Sequence, residues 1–394
     1  MSQAPKVLVI THNFPRYSGD VSAPGFMPLY KAVNERLPLH FVVPHDEDLK
    51  TEDVFEGLPV SRFRYARDKR ETLAYRGNMH TRVMTRPFLT WRLWRRYLEA
   101  GRTACERLQP RVLWAHWWLP GGMVAARLAR EFDLPMHVAC HGTDIALLHR
   151  LPFLRGLASN VFRHASTVTV VSSYLRQTVL DAMGERVPGL AEKIHVIPLP
   201  PNAIFFEDAG PTSRNAHRIV AATRYTHQKR HEVLIAAARR LRDHNVPFEI
   251  DLYGQGPERA NLQRQIDGLH LSDVFHLHDS IPQSQLAEQY RSASISLLVS
   301  EREGFGLSLV EAMLCGCAVI GSSSGGIVDI IEKDGHDGLF VPLNDVDALY
   351  HALHELLTND ALRSSIAANG RASATRRFAL GTIVDRFCSV LGRA

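Results

Sequence analysis

The chain has 394 residues, of which 45% are hydrophobic and 22% are charged, and its formal net charge is +5. This composition predicts a packed globular protein of two domains and excludes a disordered chain. It also excludes a membrane-spanning helix, since no apolar run reaches about 20 residues. The five cysteines have no metal-binding spacing and favour reduced thiols in a cytoplasmic protein.

Short apolar runs and helical patterns alternate along the first half of the chain. Runs rich in Val and aromatic residues predict strands at 6–10, 40–44, 112–116, 136–140 and 167–172. A helical pattern, such as that at 121–132, lies between the runs. This alternation predicts a parallel sheet covered by helices on both faces.

The proline-rich segment IPLPPN at 197–202 predicts an extended linker, after which the alternation restarts. The second series predicts strands at 218–222, 248–254, 274–278, 294–300, 318–322 and 339–343. The fold class is therefore α/β, with two doubly wound, Rossmann-like domains that face a cleft. The predicted domains are 1–198 and 203–375, with a C-terminal helix at about 376–394 crossing back onto the first domain.

The stretch EGFGLSLVE places two carboxylates around a glycine turn. Glu303, Gly304 and Gly306 follow a predicted strand, and Glu311 falls on the first turns of the next helix. Glycines let backbone N–H groups approach a ligand, and a helix N-terminus favours an anion. By spacing alone, a surface Glu and a capping Glu explain the pattern better. The order Ser300, two residues, then EGFGL resembles the paired-glutamate motif of retaining GT-B glycosyltransferases, especially glycosyltransferase family 4.

The resemblance implies roles for residues of this stretch. Glu303 would contact the transferred sugar, and Glu311 would hold the ribose of a nucleotide-sugar donor. The donor-binding residues implied by the family are Gly19, Gly254, Gly304, Phe305, Gly306, Leu307 and Glu311. The first loop departs from the family, because Ser18-Gly19-Asp20 stands where many relatives have two glycines.

A second resemblance lies in TRYTHQKRHEVLIAAARRL at 223–241. Arg224 and Lys229 match the arginine and lysine with which the family holds the donor diphosphate, although Thr223 replaces a common glycine. A guanidinium fork and a compact ammonium group both suit a leaving diphosphate. Taken alone, the pair would read as two ordinary surface cations.

A third resemblance is the HG-x-D loop at 141–144, which follows a predicted strand. His141 would lie over the reacting sugar and bond its 6-hydroxyl, and Asp144 would orient the loop or the acceptor. A lone histidine is more often structural. His116 also follows a strand and is a candidate acceptor-side residue.

The resulting functional prediction is a retaining hexosyltransferase that uses a UDP- or GDP-sugar. The acceptor would be a hydroxyl group of a glycan or lipid-linked intermediate in cell-envelope polysaccharide or glycolipid synthesis. The predicted catalytic residues are His141, Glu303, Arg224 and Lys229. The resemblance implies a same-face substitution, in which the leaving phosphate accepts the proton of the acceptor, with no metal ion or cofactor.

The positive charge of the chain is concentrated in one segment. Residues 61–107 contain thirteen Lys or Arg and four Asp or Glu, a local balance of +9. Within 86–102, arginines alternate with Trp, Phe and Leu, which is typical of a surface for anionic lipid. The alternative is that Trp91 and Trp94 belong to the core and the arginines are merely solvated. The predicted location is cytoplasmic, at the inner face of the membrane if the lipid interpretation holds.

Two other functions remain open at this stage. A nucleotide-sugar epimerase would share the architecture, but the Arg/Lys pair and paired glutamates are not expected there. A non-catalytic sugar- or nucleic-acid-binding protein could use the basic segment alone. The intact set of candidate catalytic residues argues against it, and no nucleic-acid partner is expected.

Overall fold

The structure is a computed structural model that describes residues 6–17, 20, 26–76, 79–207 and 214–392. Tertiary contacts divide the chain into two units. One unit ends at Leu199 and takes in the C-terminal segment from Ile383, and the other runs from Pro200 to Thr382. The division at 199–200 falls within the proline-rich segment.

The first unit alternates strands and helices along a single sheet. Its elements in chain order are β1 (Val7–Ile10), α1 (Met27–Arg36), β2 (Leu39–Pro44), β3 (Glu52–Phe55), β4 (Leu58–Phe63), α2 (Met79–Thr85), α3 (Pro87–Leu108), β5 (Val112–His116), α4 (Met123–Phe132), β6 (Met136–Cys140), α5 (Thr143–Arg150), α6 (Arg155–His164), β7 (Thr167–Val170), α7 (Ser173–Met183), α8 (Leu190–Lys193) and β8 (Ile194–Val196). The sheet order is β3-β4-β2-β1-β5-β6-β7-β8.

The second unit repeats this architecture. Its elements are β9 (Asn215–Ala222), α9 (His231–Asp243), β10 (Glu249–Tyr253), α10 (Arg259–Gly268), β11 (Phe275–His278), α11 (Gln283–Ser292), β12 (Ala293–Leu298), α12 (Leu307–Leu314), β13 (Ala318–Ser322), β14 (Leu339–Val341), α13 (Val346–Thr358) and α14 (Asp360–Phe378). The sheet order is β11-β10-β9-β12-β13-β14, and all of its neighbouring strands are parallel. The two sheets confirm the predicted α/β class with two doubly wound domains.

Burial explains which strands the sequence reveals. Strands β1, β5 and β6 are buried along their whole length, as expected for parallel strands with helices on both faces. The prediction missed β3, β4 and β8. Strand β3 is a polar edge strand that pairs antiparallel to β4, and a two-residue turn at Glu56 and Gly57, both with positive φ, joins them.

The segment predicted as one helix at about 376–394 contains the end of one helix and the whole of another. Helix α14 ends at Phe378, and α15 runs over Leu380–Leu391. The part of α15 assigned to the first unit packs there, with the rings of Phe387 and Trp114 5.5 Å apart. Among the described residues, none of the helices has the length and apolar character needed to cross a membrane.

Candidate functional site

Two loops of the second unit are bound to each other where their strands end. Strands β9 and β12 are neighbours in the sheet, so the loops that follow them leave from the same edge. The Glu301 N–H donates to the Gln228 carbonyl at 2.8 Å, and Gln228 Nε2 donates to the Arg302 carbonyl at 3.1 Å. Arg230 forms an ion pair with Glu301. We call these bonded loops, 223–230 and 299–306, the paired loops.

The paired loops bring two predicted catalytic residues into contact. The Lys229 ammonium group forms an ion pair with Glu303 Oε2, and both side chains are largely buried, with exposed fractions of 9% and 17%. Ser300 Oγ lies 3.1 Å from the same carboxylate oxygen. Glu303 is therefore an oriented, charge-balanced carboxylate rather than a free surface residue.

Arg224 supplies a second cation on the first of the paired loops. Its side chain is exposed, and the described part of the chain provides it with no hydrogen bond or ion pair. Its backbone is fixed, because its carbonyl accepts a hydrogen bond from His231 Nε2 at 3.1 Å. Burial lowers the pKa of His231, so this ring bonds Arg224 in its neutral form. The guanidinium group can therefore bind an anion without first breaking a contact with a described residue.

Glycines set how closely backbone segments approach the paired loops. The Gly326 N–H donates to the Glu303 carbonyl at 2.8 Å, and a Cβ at Gly326 would lie 2.4 Å from the Gly304 carbonyl oxygen. A Cβ at Gly254 would lie 1.8 Å from the Thr223 carbonyl oxygen. These distances are shorter than any van der Waals contact, so both positions require glycine.

The turn after Glu303 leads into α12. Gly306 precedes the helix with a φ of 103°, and Leu307 is its first residue. Phe305 is 8% exposed and packs edge-on against Phe378 at 5.6 Å, so this side chain anchors the turn. Only its backbone remains for the donor-binding role that the sequence predicts.

Glu311 lies inside the second unit on α12. It is 6% exposed, and burial raises the pKa of its carboxyl group to about 8. No hydrogen bond to its carboxyl oxygens is found within the described ranges. The group therefore holds its proton at neutral pH unless hydroxyl donors stabilise the carboxylate.

The first unit collects three histidines at the carboxyl ends of neighbouring strands. His12 follows β1, His116 ends β5 and His141 follows β6. The Trp117 ring lies 4.6 Å from the rings of both His12 and His141. Burial lowers the pKa of His12 to about 4 and that of His141 to about 3. We call His12, His116 and His141 the histidine cluster; its three members are neutral near pH 7.

Asp144 fixes the loop that carries His141. Its Oδ1 accepts hydrogen bonds from the backbone N–H groups of His141 and Gly142, each at 3.1 Å, and its Oδ2 accepts one from Trp118 at 3.2 Å. Asp144 is 2% exposed, and its carboxyl group faces these backbone donors. The structure therefore holds Asp144 against the backbone of this loop, and its role in orienting the loop or the acceptor stays a prediction.

The predicted site residues fall into two groups, one in each unit. Lys229 and Glu303 are in direct contact in the second unit, whereas His141 and His116 are in direct contact in the first. Gly19 lies outside the described residues. Its neighbour Asp20 is described, and its carboxylate accepts a hydrogen bond from Arg16 Nε at 2.7 Å.

Sequence reasoning gave no role to Ser300, His12 or Tyr30. Ser300 and His12 had a usable signal, because both follow strands at the sheet edge where ligands bind. Tyr30 had none, since a tyrosine in the apolar face of a helix is ordinarily a core residue. Its partner, His116, is 86 positions away.

Two doubly wound units, each with polar residues at the carboxyl ends of its parallel strands, are the architecture of the GT-B class of glycosyltransferase. Residues 207–373 match the family described as glycosyl transferases group 1, and residues 29–200 match the glycosyl transferase 4-like domain. The chain therefore belongs to the glycosyl transferases group 1 family and has a glycosyl transferase 4-like domain in its first half, as the motifs predicted. Family membership favours glycosyl transfer over the epimerase and the non-catalytic binding protein.

The chain is similar to characterised and solved relatives over most of its length. It is 26% identical over 293 residues to the N-acetyl-alpha-D-glucosaminyl L-malate synthase of Bacillus anthracis, a match covering 70% of this chain and 73% of the relative. It superimposes on the sucrose-phosphate synthase of Thermosynechococcus elongatus with a TM-score of 0.74, 20% identity and 98% coverage of both chains. Anabaena HepE, solved in complex with UDP and glucose, gives a TM-score of 0.71, 19% identity and coverage of 98% and 99%. The two structural matches show a shared fold.

Proposed function

We propose that the protein is a retaining hexosyltransferase that moves a sugar from a UDP- or GDP-sugar to a hydroxyl acceptor. The observation that carries the proposal is the Lys229–Glu303 ion pair in the paired loops, with the exposed Arg224 on the same loop. A cation for a phosphate and a carboxylate for a sugar hydroxyl thus stand side by side. A nucleotide sugar presents both groups a few bonds apart.

The leaving diphosphate is assigned to Arg224 and Lys229. Negative charge grows on this group as the glycosidic bond breaks, and fixed cations stabilise that charge most where water is excluded. Lys229 is largely buried and is held by Glu303 before any ligand arrives. Two cations supply the charge that a metal ion supplies in other phosphate sites, so the proposed mechanism requires no metal ion and no cofactor.

The sugar is assigned to Glu303 and His141, and the ribose to Glu311. The reacting sugar gains oxocarbenium character, and Glu303, oriented by Lys229 and Ser300, offers it an aligned carboxylate. A ribose diol offers two O–H donors, which are what the buried Glu311 carboxyl group needs to become a stable anion.

Retention of configuration follows from a same-face substitution. Retaining glycosidases use a carboxylate nucleophile about 5 Å from an acid partner. Here Glu303 is paired with Lys229, and Glu311 is buried on α12, so we assign neither to covalent attack. The leaving phosphate is instead the base that accepts the proton of the acceptor hydroxyl.

A screen of UDP-, GDP- and ADP-sugars by thermal shift tests the donor assignment. A ligand that binds only the folded state raises the melting temperature, by a free energy that grows with its concentration. We expect one nucleotide sugar to stabilise the wild type and to lose this effect in Lys229→Ala. Arg264→Ala is the matched control, since Arg264 is an exposed arginine elsewhere in the second unit. Equal shifts in the wild type and Lys229→Ala would contradict the assignment.

The configuration of the product tests retention. Proton NMR of the transferred sugar should show the same anomeric configuration as the donor. An inverted anomeric centre would overturn the same-face substitution and would leave the donor assignment standing.

We further propose that the acceptor is lipid-linked and that α3 rests on an anionic membrane. Phe88 is 69% exposed, Trp91 is 50% exposed and Trp94 is 36% exposed, so the tryptophans are not core residues. Arg92 lies over the Phe88 ring at 6.0 Å, and Arg95 lies over the Trp91 ring at 5.2 Å. We call these five side chains the α3 face.

The chemistry of the α3 face fits lipid headgroups. Aromatic rings favour the boundary between headgroups and acyl chains, and arginines bind anionic phosphates. A lipid-linked acceptor in cell-envelope polysaccharide or glycolipid synthesis would be presented at the cytoplasmic surface of such a membrane. Sedimentation with vesicles that contain phosphatidylglycerol tests this proposal.

A further inference from the structure

A buried chain of three side chains runs through the first unit and ends at His141. The Tyr30 hydroxyl lies 3.3 Å from His116 Nε2, and His116 Nδ1 lies 3.0 Å from His141 Nε2. The two imidazole rings lie side by side, with centroids 5.2 Å apart and planes 6° from parallel. Tyr30 and His116 are both fully buried.

The two histidines cannot choose their tautomers independently. Burial lowers the pKa of both rings, so each carries one ring proton at neutral pH. The 3.0 Å contact between their nitrogens requires one donor and one acceptor. If His116 holds its proton on Nδ1, then His141 Nε2 accepts and the proton of His141 must be on Nδ1.

Tyr30 selects between the two arrangements. Burial raises the pKa of its phenol, so the hydroxyl stays protonated. The phenol also shares a hydrogen bond with the Thr11 hydroxyl, and we infer that Thr11 donates to the phenol oxygen while Tyr30 donates to His116 Nε2. With Nε2 occupied as an acceptor, the proton of His116 is on Nδ1 and points to His141. The free N–H of His141 is then at Nδ1, a buried atom with no hydrogen-bond partner among the described residues.

We propose that His116 and Tyr30 are positioning residues that hold His141 in the tautomer with its proton on Nδ1. His141 then carries its N–H donor on the buried Nδ1, the form that binds a hydroxyl oxygen or a ring oxygen of a sugar that reaches this atom. The rings of Phe26 and Trp117, at 4.9 and 4.6 Å from that of His141, fix its plane. The catalytic consequence rests on the proposed function, whereas the tautomer does not.

Nitrogen-15 NMR of the full chain tests the tautomer directly, because protonated and unprotonated ring nitrogens differ in chemical shift. His141→Gln assigns the His141 signals. We expect the proton on Nδ1 in the wild type. Tyr30→Phe, which removes only a hydroxyl, should shift population toward the Nε2 tautomer. A wild-type proton on Nε2, or an unchanged tautomer in Tyr30→Phe, would overturn the proposal.

Three further variants separate positioning from folding. Tyr75→Phe is the matched control, because Tyr75 donates to the Pro44 carbonyl at 2.9 Å in the same unit and has no bond to the histidine cluster. It should leave the His141 signals unchanged. His116→Gln keeps an amide N–H that can donate to His141, and it should retain the Nδ1 tautomer where His116→Phe loses it.

Donor turnover then reports on the consequence for transfer. We expect Tyr30→Phe and His116→Phe to lower kcat at least about tenfold with little change in KM, because the wrong tautomer presents a lone pair where a donor is needed. His116→Gln should recover part of the loss. A changed tautomer with unchanged kcat would overturn the role of His141 in the proposed function, and the tautomer assignment would stand.

Discussion

Lys229 and Glu303 form an ion pair across two loops that are 74 positions apart in the chain. Each belongs to a different loop at the edge of the same sheet, and Gln228, Arg230 and Glu301 bond these loops to each other. The pair joins the phosphate-binding and sugar-binding parts of the proposed donor site before a ligand is present. The positions of these two groups are therefore coupled.

The first prediction concerns turnover. Lys229→Ala and Glu303→Ala should each lower kcat by at least about 100-fold, the scale expected when one preorganised charge is removed from a transition state. Circular dichroism should show a retained fold, and Arg264→Ala should turn over normally. Near-normal turnover in Lys229→Ala or Glu303→Ala would remove the catalytic role of that residue.

The second prediction concerns stability. Either single alanine variant leaves a largely buried charge without its partner, whereas Lys229→Ala/Glu303→Ala leaves neither. The double variant should therefore lose less free energy of unfolding than the two single losses combined, by about 0.5–3 kcal/mol. Urea unfolding of all four proteins measures this coupling. If the loss in the double variant equalled the sum of the two single losses, the Lys229–Glu303 pair would not contribute a coupling energy.

The third prediction concerns the backbone contact at Gly326. Gly326→Ala places a methyl group against the Gly304 carbonyl and should displace the turn that follows Glu303. We expect a lower melting temperature and weaker stabilisation by the donor. Gly268→Ala is the control, since a Cβ there meets open space at the end of α10. If Gly326→Ala had the same melting temperature and the same stabilisation by the donor as Gly268→Ala, the turn would tolerate the added methyl group.

The fourth prediction concerns pH. The pKa of Glu311 is about 8 in the folded protein, against an ordinary value of 4.5. Between these values the folded state holds a proton that the unfolded state has lost, so the free energy of unfolding falls as pH rises. From about pH 5 to about pH 8, the wild type should lose roughly 2 kcal/mol or more relative to Glu311→Gln. Urea unfolding at both pH values measures this difference. If the wild type and Glu311→Gln lost the same free energy of unfolding, the pKa of Glu311 would not be raised in the folded protein.

The fifth prediction concerns the α3 face. Phe88→Ser/Trp91→Ser and Arg92→Glu/Arg95→Glu should each reduce sedimentation with phosphatidylglycerol vesicles, and binding should weaken with salt. Val54→Ser is the control for the aromatic pair, because Val54 is exposed on β3 in the same unit. Arg264→Glu is the control for charge. Absence of lipid-dependent sedimentation in the wild type would refute the membrane proposal.

The local sequence pattern was sufficient to predict most of the strands and helices and to locate the motifs. Buried parallel strands are short, continuous apolar runs, so 112–116, 136–140 and 318–322 could be predicted with the same bounds that the structure gives. The polar residues that follow the parallel strands of each sheet had to lie at the carboxyl edge of that sheet. The sequence prediction missed the edge strand β3 because its residues EDVF alternate in exposure and include two acids.

The helix α3 shows where pattern becomes insufficient. Trp91 and Trp94 are three positions apart and share a helix face, which suits either a core or a surface role. The structure decides the question, because Leu93, Tyr97 and Gly101 occupy the buried side and leave the tryptophans outward.

The sequence by itself determined the alternation of strands and helices, the glycine turns and the identity of the charged candidates, because these depend on residues close together in the chain. Only the tertiary structure decided that Lys229 neutralises Glu303 and that His116 lies behind His141. Those relationships join residues 74 and 25 positions apart. They depend on which strands become neighbours, and the order of strands in a sheet is set by the packing of the whole unit.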